Sequence, residues 1–254
     1  SMPETLEKVY YIKNGAEYSQ IDYQPLQVGD YQIEFKLSEK DAVNFEIIST
    51  QTQFDYTITQ RKLSIKFQTE YEYTGDKITY KVDKAQNDIY ILSKDIADNT
   101  LGAGDSISWI FVTTDKDCGT YYVAQSALVD PAKITICKGN EDYTHNYEII
   151  IHAEAQIIIK QAGIDRSQVT ISSKEDVYNA QVYYLTFSVN GIQEDYTYKS
   201  IKRSGVLVNG ADDIKYAGEY SLEIELKNYK IANNKPFTYT ITKKDVDLDL
   251  LEIS

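Results

Sequence analysis

The chain has 254 residues, more than one small domain of about 100–150 residues needs. It carries 39 acidic against 26 basic residues, and the resulting net charge of −13 argues against nucleic acid and anionic membranes as partners. No stretch reaches the roughly 20 apolar residues of a membrane-spanning helix, so we expect no membrane insertion. The 23 tyrosines, with abundant Ile, Val and Thr, favour β-strands, because such side chains suit a pleated surface.

Three similar stretches of predicted strands follow one another along the chain. A glycine-x-tyrosine turn opens an alternating strand three times, at Gly29, Gly119 and Gly218. An asparagine-aromatic pair then precedes a second alternating run, at Asn44-Phe45, Asn146-Tyr147 and Asn228-Tyr229. A closing strand ends each stretch, at Tyr56–Thr59, Ile157–Ile159 and Tyr239–Thr242. Recurrence of this order predicts an array of small β-domains.

The repeat pattern also predicts where the domains begin and end. After each closing strand the chain enters a new predicted strand, at 61–67, 167–173 and 245–253. We therefore expect a short or partial first segment at 1–60, a second with an insertion at 61–161, and a third at 162–254. Residues 245–254 either complete the third segment or begin a further one. Short connectors without Pro, Gly or Ser runs predict restricted bending and an elongated array.

Helices are expected to be scarce. The best candidate is Ser38 to Val43, where Ser-x-x-Asp matches a helix N-terminal capping pattern. Residues 93–98 are a second short candidate. Both interrupt predicted strands and are expected on surface connections.

The strand order resembles the MBG-type and related Ig-like repeats of bacterial surface proteins. The best match is AGEYSLEIELKNYKIANNKPFTYTITKKDV at 217–246, and the middle segment departs from the pattern around LGAGDSISWIF. The resemblance implies tandem small Ig-like β-sandwiches, with β-grasp-like repeats as the alternative. It also implies a place in bacterial adhesins or wall-attached proteins, where repeats project a binding tip or themselves bind a host surface protein or glycan.

Residues suited to catalysis are few. The only histidines, His145 and His152, flank one predicted strand seven positions apart, which places them on opposite faces. The cluster Gly102 to Asp105 lacks the lysine of a phosphate loop and predicts a turn into the strand SISWIFV, with Trp109 in the core. We assign no catalytic residue and no cofactor, and expect a non-enzymatic protein.

Two further groups of residues are candidate sites. Acidic candidates for a calcium site are Asp95 with Asp98, Asp212 with Asp213, and Asp245, Asp247 and Asp249, although no stretch matches a DxDxDG loop. A solvent-facing row is the favoured account of the last group, so no metal is assigned. Cys118 and Cys137 form either a disulfide, as in extracellular proteins, or two free thiols.

Tyrosines are the remaining candidates for ligand binding, because exposed rings on a rigid sheet stack on sugars. The candidate rings are Tyr71, Tyr73, Tyr80, Tyr183, Tyr184, Tyr196 and Tyr198. The competing account is that these rings pack across strands. We expect a monomeric stalk or binding region of a secreted or cell-surface adhesin-like protein. The alternatives are a carbohydrate-binding module and an accessory domain of a secreted hydrolase.

Overall fold

The computed structural model describes residues 6–85, 100–123, 134–233 and 235–246, and it is almost entirely β-structure. The expected all-β class is therefore confirmed. Its first strands are β1 Leu6–Asn14, β2 Glu17–Ile21, β3 Gly29–Leu37, β4 Gln53–Ile58, β5 Arg61–Ile65, β6 Gln68–Glu72, β7 Thr79–Ala85, β8 Asp105–Val112, β9 Gly119–Tyr122, β10 Ile134–Lys138, β11 Glu141–Asp142, β12 Tyr147–Ile151 and β13 Gln156–Lys160. The others are β14 Ala162–Asp165, β15 Val169–Ile171, β16 Glu175–Val177, β17 Phe187–Val189, β18 Ile192–Glu194, β19 Tyr196–Arg203, β20 Val206–Leu207, β21 Gly218–Leu226, β22 Tyr229–Ala232 and β23 Phe237–Thr242.

The described helices are short. The helix α1 spans Glu39–Ala42, and the Ser38 side chain accepts a hydrogen bond from the Asp41 N–H at 3.1 Å, as the capping pattern predicts. Single 3-10 turns cover Thr144–Asn146, Arg166–Gln168 and Ala211–Asp213. The second predicted helix, at 93–98, lies outside the described residues.

The chain divides into two compact units. The first comprises residues 1–67, 79–111 and 122–155, and the second comprises 68–78, 112–121 and 156–254. Both units thus contain strands of the second predicted segment. The three-segment division stays a prediction, and the names first, second and third segment are kept below for residues 1–60, 61–161 and 162–254.

In the first unit, the first segment forms one antiparallel sheet with the strand order β2-β1-β3-β4. Gly29 pairs with Ile58 and Tyr31 with Tyr56, whose rings stack at 5.6 Å. The glycine-x-tyrosine strand and the closing strand are therefore direct neighbours. Tyr31 is the only large apolar side chain of the described residues 6–58 that is fully buried, because one sheet alone buries little surface.

The run after Asn44 is not a strand, contrary to the expectation for FEII at 45–48. Its equivalents in the later segments pair with the entering strand of their own segment, and no such partner pairs with 45–48 in the described residues. The Ile48 side chain consequently remains 94% exposed. The pattern was right about alternation, but a strand also needs a neighbour for its backbone hydrogen bonds.

The rest of the first unit contains the sheet β11-β10-β8-β7 and the parallel pair β5 and β12. Its core includes Trp109, Phe67 and Phe111, with the Phe67 and Phe111 rings 5.5 Å apart. Residues 102–105 form the predicted turn, in which the Asp105 N–H donates to the Gly102 carbonyl at 3.0 Å and Gly104 has a φ of +82°. Trp109 is thus in the core, as predicted.

In the second unit, the third segment folds around one apolar core. Three sheets surround it, with orders β14-β22, β15-β17-β18 and β16-β23-β21-β19-β20. The core includes Phe187, Leu222, Phe237 and Tyr239, all at most 1% exposed. An Asn-Gly turn with positive φ at both residues joins β17 to β18, as expected of a two-residue hairpin.

Strand pairing in the third segment follows that of the earlier ones. Gly218 pairs with Ile241 and Tyr220 with Tyr239, the same register that joins β3 to β4. The entering strand β14 runs parallel to β22, and β16 runs parallel to the closing strand β23. Equivalent parallel pairs in the second segment are β5 with β12, in the first unit, and β6 with β13, in the second unit.

Candidate functional site: two segment junctions

The recurring glycine-x-tyrosine turn forms a closed loop that we call the amide corner. In each corner the tyrosine hydroxyl donates a hydrogen bond to the carbonyl four residues earlier. The distances are 3.0 Å from Tyr31 to Gln27, 2.5 Å from Tyr121 to Asp117 and 2.8 Å from Tyr220 to Tyr216. This bond closes the loop around the residue before the glycine, which is Val28, Cys118 or Ala217.

The first junction, inside the first unit, joins the first and second segments at such a corner. The Asn146 side-chain oxygen accepts from the Val28 N–H at 2.7 Å. Gln60, the last residue of the first segment, donates its side-chain amide to the His145 carbonyl at 3.0 Å. One asparagine and one glutamine thus hold the two segments together through backbone groups.

A buried acid and a tyrosine lie beside this first contact. The Tyr147 hydroxyl donates to the Asp105 carboxylate and accepts from the Gly102 N–H at 2.7 Å. Burial raises the pKa of Tyr147 to about 12, and its bond to Asp105 adds to the effect. The phenol therefore stays a neutral donor to Asp105, which is only 7% exposed.

The first junction leaves its docking asparagine incompletely bonded. A cavity of about 300 Å³ is lined by residues including Leu26, Arg61, Lys138, Tyr143 and Asn146. The Asn146 side-chain nitrogen is buried without a hydrogen-bond partner among the described residues. Such an unpaired donor is costly, and this junction therefore lacks one bond that its chemistry allows.

The second junction, inside the second unit, repeats the contact with fuller bonding. The Asn228 side-chain oxygen accepts from the Cys118 N–H at 2.8 Å, and its nitrogen donates to Asp117 at 3.0 Å. Gln161, the last residue of the second segment, donates to the Leu226 carbonyl at 2.9 Å. Asn228 is 4% exposed, so both its polar atoms are satisfied within the protein.

Charged and aromatic groups surround the second contact. Lys227 forms an ion pair with Asp117, and the bonds from Lys227 and Asn228 lower the pKa of Asp117. Burial raises the pKa of Glu194 beneath this contact. The rings of Tyr73 and Tyr229 meet edge to face at 5.2 Å, and Tyr73 is 8% exposed.

The predicted tyrosine sites are mostly used for packing. Tyr80 packs 4.8 Å from Phe67, Tyr196 packs 4.7 Å from Phe187, and Tyr198 lies 5.2 Å from Tyr196. Tyr183 packs 6.0 Å from Tyr239, and Tyr71 is partly buried on β6. Only Tyr184, at 76% exposure, presents most of its ring to solvent. Tyr73 is therefore too buried to offer its ring to a ligand in this structure, and a stacking role for the other candidate tyrosines stays a prediction.

The other candidates are placed as follows. Cys118 and Cys137 are both free thiols, so no disulfide joins them. His145 and His152 lie at the two ends of β12, and the His152 Nδ1 accepts from the Glu154 N–H at 3.2 Å. Asp213 accepts from the Asn209 N–H at 3.0 Å. Asp95, Asp98, Asp247 and Asp249 lie outside the described residues.

Within the part of the chain that the structure describes, no group of three His, Cys, Asp or Glu side chains is arranged to hold a metal ion. No helix in that part is long and apolar enough to cross a membrane.

Sequence reasoning noticed the recurring asparagines but missed their role. The available signal was that Asn146 and Asn228 recur directly before an alternating strand and outside its alternation.

A scan against protein-family models finds no match to this chain, and a search of curated proteins finds none either.

Proposed function

We propose that this chain is a load-bearing repeat region of an extracellular or cell-surface adhesin-like protein, acting as a spacer. The observation that supports it is the parallel pairing of entering and closing strands. In the third segment β14 runs parallel to β22, and β16 runs parallel to β23. The second segment has the same two kinds of pair.

Parallel pairing matters because of the direction in which a stretched chain loads its hydrogen bonds. The start of one parallel strand and the end of its partner lie at opposite ends of the pair. Tension applied at those two points slides the strands along each other, so that all the bonds between them resist together. Tension applied at the same end of the pair would break the bonds one after another.

The composition and the tyrosine packing agree with this role. A net charge of −13 keeps an exposed protein soluble and repels anionic surfaces. Most candidate rings pack against other rings, which favours a structural use of tyrosine over a glycan platform. The resemblance to MBG-type repeats and the expected monomeric state are part of the same proposal.

Force spectroscopy on the third segment tests the proposal within the full chain. In a Cys118→Ser, Cys137→Ser background, handles at positions 162 and 232 load the pair of β14 and β22 lengthwise. Handles at 165 and 232, which are direct partners at one end, separate the same pair from that end. We expect a higher unfolding force for the first geometry. Equal or lower force would overturn the load-bearing role.

A further inference from the structure

The third segment carries an amide corner like the two that are occupied. Its Tyr220 hydroxyl donates to the Tyr216 carbonyl and also accepts from the Tyr216 N–H at 3.2 Å. The loop is therefore already shaped without a docking residue. The residue in the position of Val28 and Cys118 is Ala217, and its N–H has no hydrogen-bond partner among the described residues.

Apolar side chains are exposed at the same end of this sheet. Val177 pairs with Thr242, next to the pair of Ile241 and Gly218. Val177 is 56% exposed, and Val206 at the end of the neighbouring strands is 69% exposed. Val177 lies on the edge strand β16 and Val206 on the opposite edge strand β20, so exposed apolar side chains flank the corner at the start of β21 on both sides.

The second junction shows what covers such a surface. Tyr73 and Tyr178 hold equivalent positions, because their N–H groups donate to the carbonyls of Lys160 and Thr242 at the ends of the two closing strands. Tyr73 is buried under Tyr229 of the next segment, whereas Tyr178 is only partly buried. The aromatic residue after the docking asparagine therefore fills this place.

We propose that the Ala217 end of the third segment is a docking surface for a further β-segment of this class. That segment would present an asparagine to the Ala217 N–H and the following aromatic ring to Tyr178. The occupant is chosen because Asn146 and Asn228 make this contact at the other two corners, at 2.7 and 2.8 Å. This docking surface rests on the proposed spacer function. The two proposals can fail independently, because the unfolding force reports on strand pairing within a segment, whereas hydrogen exchange at Ala217 reports on the end of the segment.

The test compares the parent chain with an extended chain in which a copy of residues 162–254 follows Lys243 directly. The added copy carries Ala217→Ser, so that selective ¹⁵N-alanine labelling reports a single Ala217 amide. We expect its hydrogen exchange to slow by about fivefold or more in the extended chain, because a new hydrogen bond protects it. An unchanged rate would overturn the proposal.

Two substitutions in the added copy sharpen the result. Asn228→Ala there should return the Ala217 exchange to the parental rate, whereas Asn209→Ala, at an exposed asparagine, should leave the protection intact. Equal effects of the two would count against docking by Asn228. Protection in the parent chain that rises with protein concentration would assign the surface to a second copy, and would overturn the occupant proposed here.

A measurement on the parent chain keeps the inference testable if the added copy does not fold. Asn228→Ala in the parent should accelerate exchange of the Cys118 amide, the donor in the second junction. Unaltered exchange at Cys118 would show that the asparagine does not protect its corner, and the docking argument would then fail.

Discussion

The two junctions use the same asparagine contact in different surroundings. In the first, Asn146 binds the Val28 N–H, but its own side-chain nitrogen has no hydrogen-bond partner among the described residues. In the second, Asn228 uses both polar atoms, because Asp117 occupies the position that Gln27 has in the first. The contact to the backbone is thus the common element, and the residue that opens the corner determines how much else is bonded.

We expect the largest difference in stability between variants of the two tyrosines that follow the docking asparagines. Tyr147→Phe removes the donor to the buried Asp105 and should lower the free energy of unfolding of the first unit by about 3 kcal/mol. The matched change Tyr229→Phe should cost far less, because its hydroxyl has no hydrogen-bond partner among the described residues.

Urea unfolding measures the free energy of unfolding of both variants. Fluorescence of Trp109, the only tryptophan, reports on the first unit, and circular dichroism of the tyrosines, which occur in both units, follows the whole chain. Equal destabilisation by the two changes would contradict the assigned role of Asp105.

We expect a smaller difference in the free energy of unfolding when each docking asparagine is replaced by alanine. Asn228→Ala removes two hydrogen bonds and should cost about 2 kcal/mol, whereas Asn146→Ala removes one and should cost about 1 kcal/mol. Calorimetric unfolding of both variants checks the order.

The substitution Gln27→Asp makes the first junction resemble the second. It places a carboxylate at the position from which Asp117 binds the asparagine nitrogen in the second junction, so Asn146→Ala should then lower the free energy of unfolding by more than it does in the parent. A cost that stays the same with and without Gln27→Asp would show that the unpaired nitrogen is not the cause of the difference.

The smallest expected effect is a dependence of the second junction on pH. The pKa of Asp117 is lowered in the folded protein by Lys227 and Asn228, relative to about 3.9 in an unfolded chain. Its stabilisation is therefore present above about pH 4 and is lost as the pH falls through the lower folded value. The contribution is below about 1 kcal/mol, because the pair with Lys227 is partly exposed.

Asp117→Asn tests this contribution. The difference in melting temperature between parent and variant should be present at pH 6 and shrink as the pH falls through the lowered pKa of folded Asp117. Glu194 has a raised pKa, mainly from burial and in smaller part from the charge of Asp117, and it changes stability in the opposite direction. A difference that does not shrink at acid pH would contradict the ionic account.

The sequence predicted those features that follow from local pattern. The repeated glycine-x-tyrosine runs and the closing runs are strands in the first and third segments, as their alternation predicts, whereas their common register, seen at Gly29 with Ile58 and at Gly218 with Ile241, comes from the structure. The Ser38 cap and the buried Trp109 also follow from nearby residues or from the alternation of apolar side chains.

Features that depend on distant partners could not be predicted in this way. Residues 45–48 alternate like a strand, but strand formation needs a neighbour that the pattern does not contain. The burial of Tyr73 comes from Tyr229, which lies more than 150 positions away in the chain. The role of Asn228 likewise depends on the Cys118 N–H, and spacing alone does not reveal that contact.

One consequence of the amide corner concerns how a gene for such a protein could change in length. The second segment carries both halves of the contact, with the Cys118 N–H as donor and Asn146 as acceptor. After a clean deletion of residues 61–161 we expect Asn228, which has the same chemistry as the lost Asn146, to accept from the Val28 N–H. Matching ends of this kind predict that such a chain can shorten by a whole predicted segment without a compensating mutation in its neighbours.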